Sequence, residues 1–114
     1  MIKMYGIPNC DTVRKARKWL EERKIAYVFC DLRKDGVDPA QLERWVAATG
    51  WEVLLNRRGT TFRNLPETSK IDLDESRALA LMAAHPATIK RPVVEHRGGL
   101  LVGFDEAIWT AAFA

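Results

Sequence analysis

The sequence predicts an α/β protein with a four-stranded mixed β-sheet, flanking helices and a helical insertion. Three observations lead to this prediction: a strand–helix–strand pattern at the start, a helical block in the middle, and a strand–strand–helix pattern at the end. The predicted core comprises residues 1–35 and 86–114, and the insertion comprises residues 36–85. The chain of 114 residues is long enough for one domain with a buried core.

The first element is a strand in which Ile2 and Met4 share one face. A turn must follow, because Gly6, Pro8 and Asn9 interrupt the strand. A helix is then predicted from Asp11 to Arg23, since apolar residues recur at helical spacing at Val13, Ala16 and Leu20. The second strand is predicted from Ala26 to Leu32, parallel to the first. Its alternation places Cys30 beside Val28, and we expect Cys30 to be buried and inert.

The middle block begins with a helix at Asp38-Pro39, with Asp as cap and Pro at the first helical position. A short helical turn is predicted over residues 51–55, followed by a polar and basic loop over residues 56–63. Another helix is predicted from Asp74 to the breaker His85-Pro86. The whole block is therefore helical.

The last section contains two strands, Val93–His96 and Leu100–Phe104, joined by a hairpin turn at residues 97–99. Asp105 is the predicted cap of a final helix, with Ile108 and Ala112 facing inward. The complete element order describes a thioredoxin-like core that a helical insertion interrupts.

Cys10 is the candidate nucleophile. It lies where the predicted turn meets the first helix, so unpaired backbone N–H groups and the positive end of the helix dipole converge on it. This position favours the thiolate and lowers the pKa of a cysteine. Arg14 and Lys15 add positive charge, whereas Asp11 opposes the effect or caps the helix. The alternative is that Cys10 is a small buried hydrophobe, but polar turn residues surround it.

Composition and charge exclude several classes of function. The net charge of +3 suits small anionic substrates, and no basic run is long enough to indicate nucleic acid. No signal peptide or membrane span is recognisable, and the two cysteines indicate a reducing cytoplasm with free thiols. The two histidines and two cysteines are too widely spaced for a zinc site. We expect a cytoplasmic monomer that binds neither metal nor membrane.

Motifs along nearly the whole chain resemble the ArsC/Spx/YffB family, in particular its YffB-type branch. They are residues 5–12 (YGIPNCDT), 54–56 (LLN), 59–63 (GTTFR), 85–86 (HP), 91–94 (RPVV) and 103–104 (GF). The resemblance implies a thioredoxin fold. It also implies an activity related to glutaredoxin-linked arsenate reductases, or the glutathione-dependent thiol reduction proposed for the YffB-type branch.

The resemblance also implies roles for particular residues. Cys10 matches the nucleophile, and Arg91 matches an arginine that holds an oxyanion or a thiol adduct beside it. A guanidinium offers a planar, always-charged fork to such groups, although a surface arginine is the commoner case. Pro92 matches a proline that is usually cis, and the sequence alone leaves cis or trans open. Asn9 and Thr12 are the remaining candidates for binding substrate or glutathione next to Cys10.

The chain departs from the arsenate reductases at two positions. Those enzymes place three arginines around the oxyanion, and here Asn56 and Gly103 occupy two of the corresponding positions. Losing two guanidinium groups weakens the binding of a multiply charged oxyanion, at roughly 1.5–3 kcal/mol per charged hydrogen bond. Arg57 and Arg58 follow Asn56 directly and serve either as anion-binding groups or as part of a solvated loop.

The sequence therefore predicts a glutathione-dependent monothiol reductase in which the Cys10 thiolate attacks a disulfide or another oxidised small substrate. Glutathione, or a glutaredoxin-type partner, would resolve the intermediate, because no second cysteine lies at a suitable position. One alternative is an arsenate reductase. The other is a non-enzymatic regulatory adaptor of the Spx type, although Val13 replaces the second cysteine of the C-x-x-C switch often found there.

Overall fold

The computed structural model describes every residue from Met1 to Ala114. The chain forms two units, of which the first combines Met1–Asp35 with Arg91–Ala114 and the second is Gly36–Lys90. Residues 86–90, which the sequence analysis grouped with the core, lie in the second unit. The helices in chain order are α1 (Asp11–Glu22), α2 (Leu32–Asp35), α3 (Pro39–Thr49), α4 (Trp51–Leu54), α5 (Thr60–Arg63), α6 (Glu75–Ala84) and α7 (Glu106–Ala112).

The first unit contains a four-stranded sheet. Its strands are β1 (Ile2–Gly6), β2 (Tyr27–Asp31), β3 (Val93–His96) and β4 (Gly99–Val102), in the spatial order β2-β1-β3-β4. The β1 and β2 strands are parallel, whereas β3 pairs antiparallel with both β1 and β4. The predicted mixed sheet is therefore confirmed. Strand β1 lies at its centre and delivers the chain directly into the loop that precedes α1.

One face of this sheet carries the hydrophobic core of the first unit. Met4 of β1 and its cross-strand partner Val94 of β3 are fully buried there against residues of α1 and α7. Trp19 of α1 and Trp109 of α7 meet edge to face, with ring centroids 5.7 Å apart. Each large side chain buried in this way stabilises the fold by roughly 1.5–3 kcal/mol. This packing fixes α1, and hence the residue at its amino terminus, against the sheet.

The inward face of α7 differs from the prediction. Ile108 is 57% exposed and Ala112 is also exposed, whereas Trp109 is only 1% exposed. The Asp105 carboxylate caps α7 by accepting a hydrogen bond from the N–H of Ile108 at 3.1 Å, and the indole of Trp109 packs against Trp19 of α1 in the core. The indole N–H of Trp109 donates to the carbonyl of Gly103 at 3.2 Å. The inward assignment of Ile108 and Ala112 was therefore wrong.

Cys30 is also less buried than expected. It lies on β2, which is an edge strand of the sheet, and its side chain is partly exposed. Val28, two residues earlier on the same face, is 44% exposed. An edge strand has a neighbouring strand on one side only, so solvent reaches its side chains more easily. The expectation that Cys30 is buried was wrong.

The second unit is helical, as the sequence predicts for this block. Its helix α3 packs against α4 and α6. The predicted cap at Asp38 is present, because its carboxylate accepts from the N–H of Ala40 at 3.2 Å. Asp74, which was predicted only as the start of the next helix, also acts as a cap and accepts from the N–H of Arg77 at 2.8 Å. The buried residues of these three helices are Leu42, Trp45, Val46, Leu54, Ala78, Leu81 and Met82.

Candidate active site

The loop between β1 and α1 positions Cys10 as the N-cap residue of α1. Its extended backbone (φ −96°, ψ 128°) precedes the first helical residue, and its carbonyl accepts the first helical hydrogen bond from Arg14 N–H at 2.9 Å. The N–H of Cys10 donates back to the carbonyl of Ile7 at 3.2 Å, which closes the turn. Gly6 is required where β1 approaches α1, since a Cβ there would lie 2.8 Å from a methyl group of Val13.

The surroundings of Cys10 favour its thiolate form. Partial burial acts to raise its pKa, but hydrogen bonds from the N–H of Val13, the Arg91 side chain and the N–H of Thr12 outweigh this effect, together with the positive charge of Arg91. The net pKa of Cys10 is therefore lowered. The two backbone donors are the unpaired N–H groups of the first helical turn, which a capping side chain ordinarily satisfies. The local argument from the sequence thus agrees with the geometry.

Arg91 reaches Cys10 from the start of β3, which lies beside the end of β1 where the loop to α1 begins. The Arg91–Pro92 peptide bond is cis, Pro92 is buried, and β3 begins at the next residue. The carbonyl of Pro92 accepts a hydrogen bond from the N–H of Gly103 at 2.8 Å, which ties this segment to the end of β4. The guanidinium of Arg91 is partly buried and interacts with the sulfur of Cys10. A thiol with a lowered pKa and a fixed positive charge are therefore adjacent.

The structure brings five of the predicted site residues together in the first unit. Asn9 is exposed in the turn just before Cys10, and Thr12 is exposed in the first turn of α1. Both flank Cys10 along the chain, while Arg91 interacts with Cys10 from the start of β3 and Pro92 is its neighbour in sequence. The assignment of Asn9, Thr12 and Pro92 to substrate binding stays a prediction.

Arg57 and Arg58 lie in the second unit, in the loop between α4 and α5. The side-chain oxygen of Asn56 accepts a hydrogen bond from the N–H of Arg58 at 3.1 Å and so shapes the turn. The guanidinium of Arg57 lies 5.0 Å from the ring centroid of Trp51. Both arginines are exposed, and their assignment to substrate binding stays a prediction.

The residues at the two departures from the arsenate reductases have backbone roles here. The side chain of Asn56 stabilises its own turn through the hydrogen bond from Arg58 N–H. Gly59 lies close to this side chain, since a Cβ at Gly59 would be 3.0 Å from the amide nitrogen of Asn56. Gly103 has a φ of +80°, which favours glycine. An arginine at Gly103 would therefore strain the backbone in addition to carrying charge.

Cys30 provides a contrast to Cys10. Burial raises its pKa, and the negative charges of Asp35 and Glu95 act in the same direction. Lys3 and Tyr5 act in the opposite direction, but the net pKa of Cys30 is raised. Cys30 is therefore a poor nucleophile at neutral pH.

An ion pair that lies next to Cys10 along the chain was not predicted from the sequence. Asp11 is the first helical residue and follows the N-cap position, and its carboxylate pairs with the guanidinium of Arg14. Opposite charges three positions apart on a helix are neighbours, and this spacing was the available signal.

Other possible sites are limited. An open cavity of about 430 Å³ is lined by Met1, Glu95, His96 and Arg97, none of which is a predicted site residue. No group of three or more His, Cys, Asp or Glu side chains is arranged to hold a metal ion. None of the helices has the length and hydropathy needed to cross a membrane.

Together, the sheet order, the cis proline and the cysteine at the start of α1 define a thioredoxin-like protein with a single thiol centre facing an arginine. A model described as the ArsC family matches residues 5–112. The chain belongs to the ArsC family.

Individual relatives are similar along their whole length. The solved structure of the YffB (PA3664) protein is 52% identical, covers 100% of both chains and superimposes with a TM-score of 0.96. An arsenate reductase (ArsC) related protein from Brucella melitensis is 49% identical, with coverage of 98% of this chain and 93% of that chain and a TM-score of 0.78. An uncharacterized protein from Haemophilus influenzae is 47% identical over 100% of both chains. The global transcriptional regulator Spx of Listeria innocua is 28% identical over 93% of this chain and 82% of its own.

Proposed function

We propose that this protein is a glutathione-dependent monothiol reductase. In the first step the Cys10 thiolate attacks the glutathione sulfur of a mixed disulfide, so that a Cys10–glutathione disulfide forms and the substrate thiolate leaves and takes up a proton. In the second step the thiolate of a further glutathione attacks this disulfide, which releases oxidised glutathione and regenerates the Cys10 thiolate. In total, one mixed disulfide and one free glutathione are converted to one substrate thiol and one molecule of oxidised glutathione.

The observation that carries the proposal is the contact of Cys10 with Arg91 and with the first N–H groups of α1. A lowered pKa makes the sulfur both an attacking group at neutral pH and a good leaving group in the second step. Arg91 is suited to hold a carboxylate of glutathione once the thiolate has become a disulfide. Asn9 and Thr12 flank Cys10 along the chain and Pro92 follows Arg91, so these three are the further binding residues that we propose.

The proposed mechanism uses one cysteine because Cys10 and Cys30 belong to opposite faces of the sheet. Cys10 packs against the core that contains Met4, whereas Cys30 pairs in register with Tyr5. Neighbouring residues of a strand point to opposite faces, so the two thiols are separated by the sheet. Resolution then requires an external thiol, for which glutathione or a glutaredoxin-type partner is the proposed source.

The test is turnover of a mixed disulfide between glutathione and 2-mercaptoethanol, with reduced glutathione as the only reductant. Oxidised glutathione should accumulate with the wild-type protein and with Cys30→Ser, and not with Cys10→Ser. The Cys30→Ser variant is the matched control, since it removes the same group at a position outside the proposed site. Absence of turnover by the wild-type protein, or full turnover by Cys10→Ser, contradicts the proposal.

Two other functions are distinguished by the same variants. The similarity to Spx supports a regulatory adaptor as the second candidate. An adaptor of that kind would keep its partner binding in Cys10→Ser. The similarity to an arsenate reductase related protein raises arsenate as a substrate. With Asn56 and Gly103 at the positions of two arginines, we expect arsenate reduction to be far slower than disulfide reduction.

A further inference from the structure

The Asp11–Arg14 ion pair lies one helical turn from the nucleophile. Cys10 and Arg14 are four positions apart, which places them on the same side of α1. Side chains on a helix tilt towards its amino terminus, so the guanidinium of Arg14 is directed towards the first turn of α1. There it meets the carboxylate of Asp11. The two side chains are 56% and 84% exposed, so an incoming ligand can reach both.

Helix α1 carries four basic residues before its last turn, namely Arg14, Lys15, Arg17 and Lys18. Arg17 has another role, because its guanidinium lies 4.2 Å from the ring centroid of Phe29. Arg14 is the nearest of the four to Cys10 along the chain, and it is the one that pairs with Asp11.

The charges around the Cys10 sulfur indicate that Arg14, rather than Arg91, is available to bind a carboxylate of the substrate. The positive charge of Arg91 is directed at the thiolate, so these two groups together are neutral. A substrate that carries a carboxylate as well as a sulfur needs a further cation within reach. Arg14 provides one, and its present partner is a carboxylate on the same protein. An exposed ion pair contributes little to stability, so exchanging one carboxylate for another costs little.

We propose that Arg14 selects substrates that carry a carboxylate next to the reacting sulfur, and that Asp11 occupies Arg14 until such a substrate arrives. The inference rests on the proposed function, since it names the substrate class of the same thiol. A guanidinium suits this role because it binds a carboxylate through two parallel hydrogen bonds. Arg14 then binds the incoming substrate while the charge of Arg91 is still balanced by the thiolate.

The test compares two reagents that alkylate Cys10 by the same chemistry, iodoacetate and iodoacetamide. Both rates scale with the thiolate fraction, so their ratio is independent of the pKa of Cys10 and reports the local preference for a carboxylate. Rates are read at the Cys10 peptide by mass spectrometry. We expect Arg14→Gln to lower the iodoacetate-to-iodoacetamide ratio by about two- to fivefold, as one partly exposed charge contact predicts. Lys18→Gln, an equal change of charge further along α1, is the control and should change the ratio by less.

Asp11→Asn tests the exchange of partners. We expect this variant to raise the ratio, because Arg14 then has no competing carboxylate. The rise should disappear in Asp11→Asn combined with Arg14→Gln, since the two effects act through one contact. If Asp11→Asn raises the ratio equally in the wild-type protein and in Arg14→Gln, Asp11 acts only through its negative charge. That result would overturn the proposal that a substrate carboxylate replaces Asp11 on Arg14. Equal ratios for Arg14→Gln and Lys18→Gln would overturn the role of Arg14.

The result of the alkylation test can be interpreted independently of the turnover assay for the proposed function. Alkylation needs no turnover and no glutathione, so a protein that fails the turnover assay still gives a defined ratio. Conversely, turnover with unchanged ratios would retain the reductase and remove only the carboxylate preference. All variants are at exposed positions, and far-ultraviolet circular dichroism checks that each one folds.

Discussion

Cys10 and Cys30 lie on opposite faces of the same β-sheet. Cys10 packs with the core beneath α1 and α7, and Cys30 shares the other face with Tyr5, its partner in register. The two thiols also differ electrostatically, because the pKa of Cys10 is lowered and that of Cys30 is raised. The protein therefore has one thiol with a lowered pKa and one thiol with a raised pKa, on opposite faces of the sheet.

The first prediction concerns the alkylation rate of each cysteine as a function of pH. Because the pKa of Cys10 is lowered, its rate should level off at a lower pH than that of a free cysteine. The rate at Cys30 should continue to rise to a higher pH, because burial raises its pKa. Iodoacetamide labelling followed by peptide mass spectrometry measures both in one sample. Identical pH profiles at the two peptides would contradict the assignment of Cys10 as the nucleophile.

The second prediction concerns oxidation. A disulfide requires Cα atoms within about 4.4–6.8 Å and converging Cβ vectors, and opposite faces of a sheet do not provide these vectors. Peroxide with glutathione present should give a mixed disulfide at Cys10. Peroxide alone should give a sulfenic acid or a dimer linked through Cys10. Intact mass spectrometry distinguishes these products, and a monomer two mass units lighter, with both thiols blocked, would require a dithiol mechanism instead.

The third prediction concerns Arg91. Replacement by Ala removes a hydrogen bond to the Cys10 sulfur and a positive charge beside it, so the pKa of Cys10 should rise and turnover at neutral pH should fall. A charged hydrogen bond of this kind contributes roughly 1.5–3 kcal/mol, which corresponds to about a tenfold or larger loss of turnover. Arg91→Lys should recover part of the activity, since it restores the charge without the fork. Full activity in Arg91→Ala, with an unchanged alkylation profile, would remove Arg91 from the site.

The fourth prediction concerns the pH dependence of stability. Because the pKa of Cys10 is lowered in the folded state, the unfolded state binds more protons between the folded and the unfolded pKa. The free energy of unfolding should therefore rise with pH through this window, and this contribution is lost as the pH falls through the folded pKa. Cys10→Ser should lack this rise relative to the wild-type protein. Cys30→Ser is the control and should retain it, because the pKa of Cys30 is shifted in the opposite direction. Urea unfolding across a pH series provides the comparison.

The fifth prediction concerns the packing of α7. Trp109 is 1% exposed within the aromatic core, whereas its neighbour Ile108 is 57% exposed. Trp109→Ala should reduce the free energy of unfolding by about 3–5 kcal/mol. Ile108→Ala is the matched control and should change it by less than about 0.5 kcal/mol. Comparable losses from both variants would mean that α7 packs in a different rotational phase.

The sequence by itself determined the features that depend on neighbouring residues. The turn at Pro8-Asn9 followed by helical spacing places Cys10 at the start of α1. Asp38, Asp74 and Asp105 are recognisable as caps for the same reason, since a cap and the N–H it accepts lie within three positions. Strand periodicity and the hairpin turn predict the four strands.

Only the tertiary structure decided which distant groups meet and which faces are covered. The contact between Arg91 and Cys10 joins the start of β3 to the start of α1, and no local pattern contains it; only the family resemblance indicated it. The exposure of Cys30 follows from the position of β2 at the sheet edge, which depends on the order of all four strands. The choice between Ile108 and Trp109 as the buried residue of α7 depended on the aromatic side chains that α1 presents to it. The physical reason is common to all three cases: hydrogen bonds within a turn or cap are set by adjacent residues, whereas burial and long-range charge contacts are set by segments that only folding brings together.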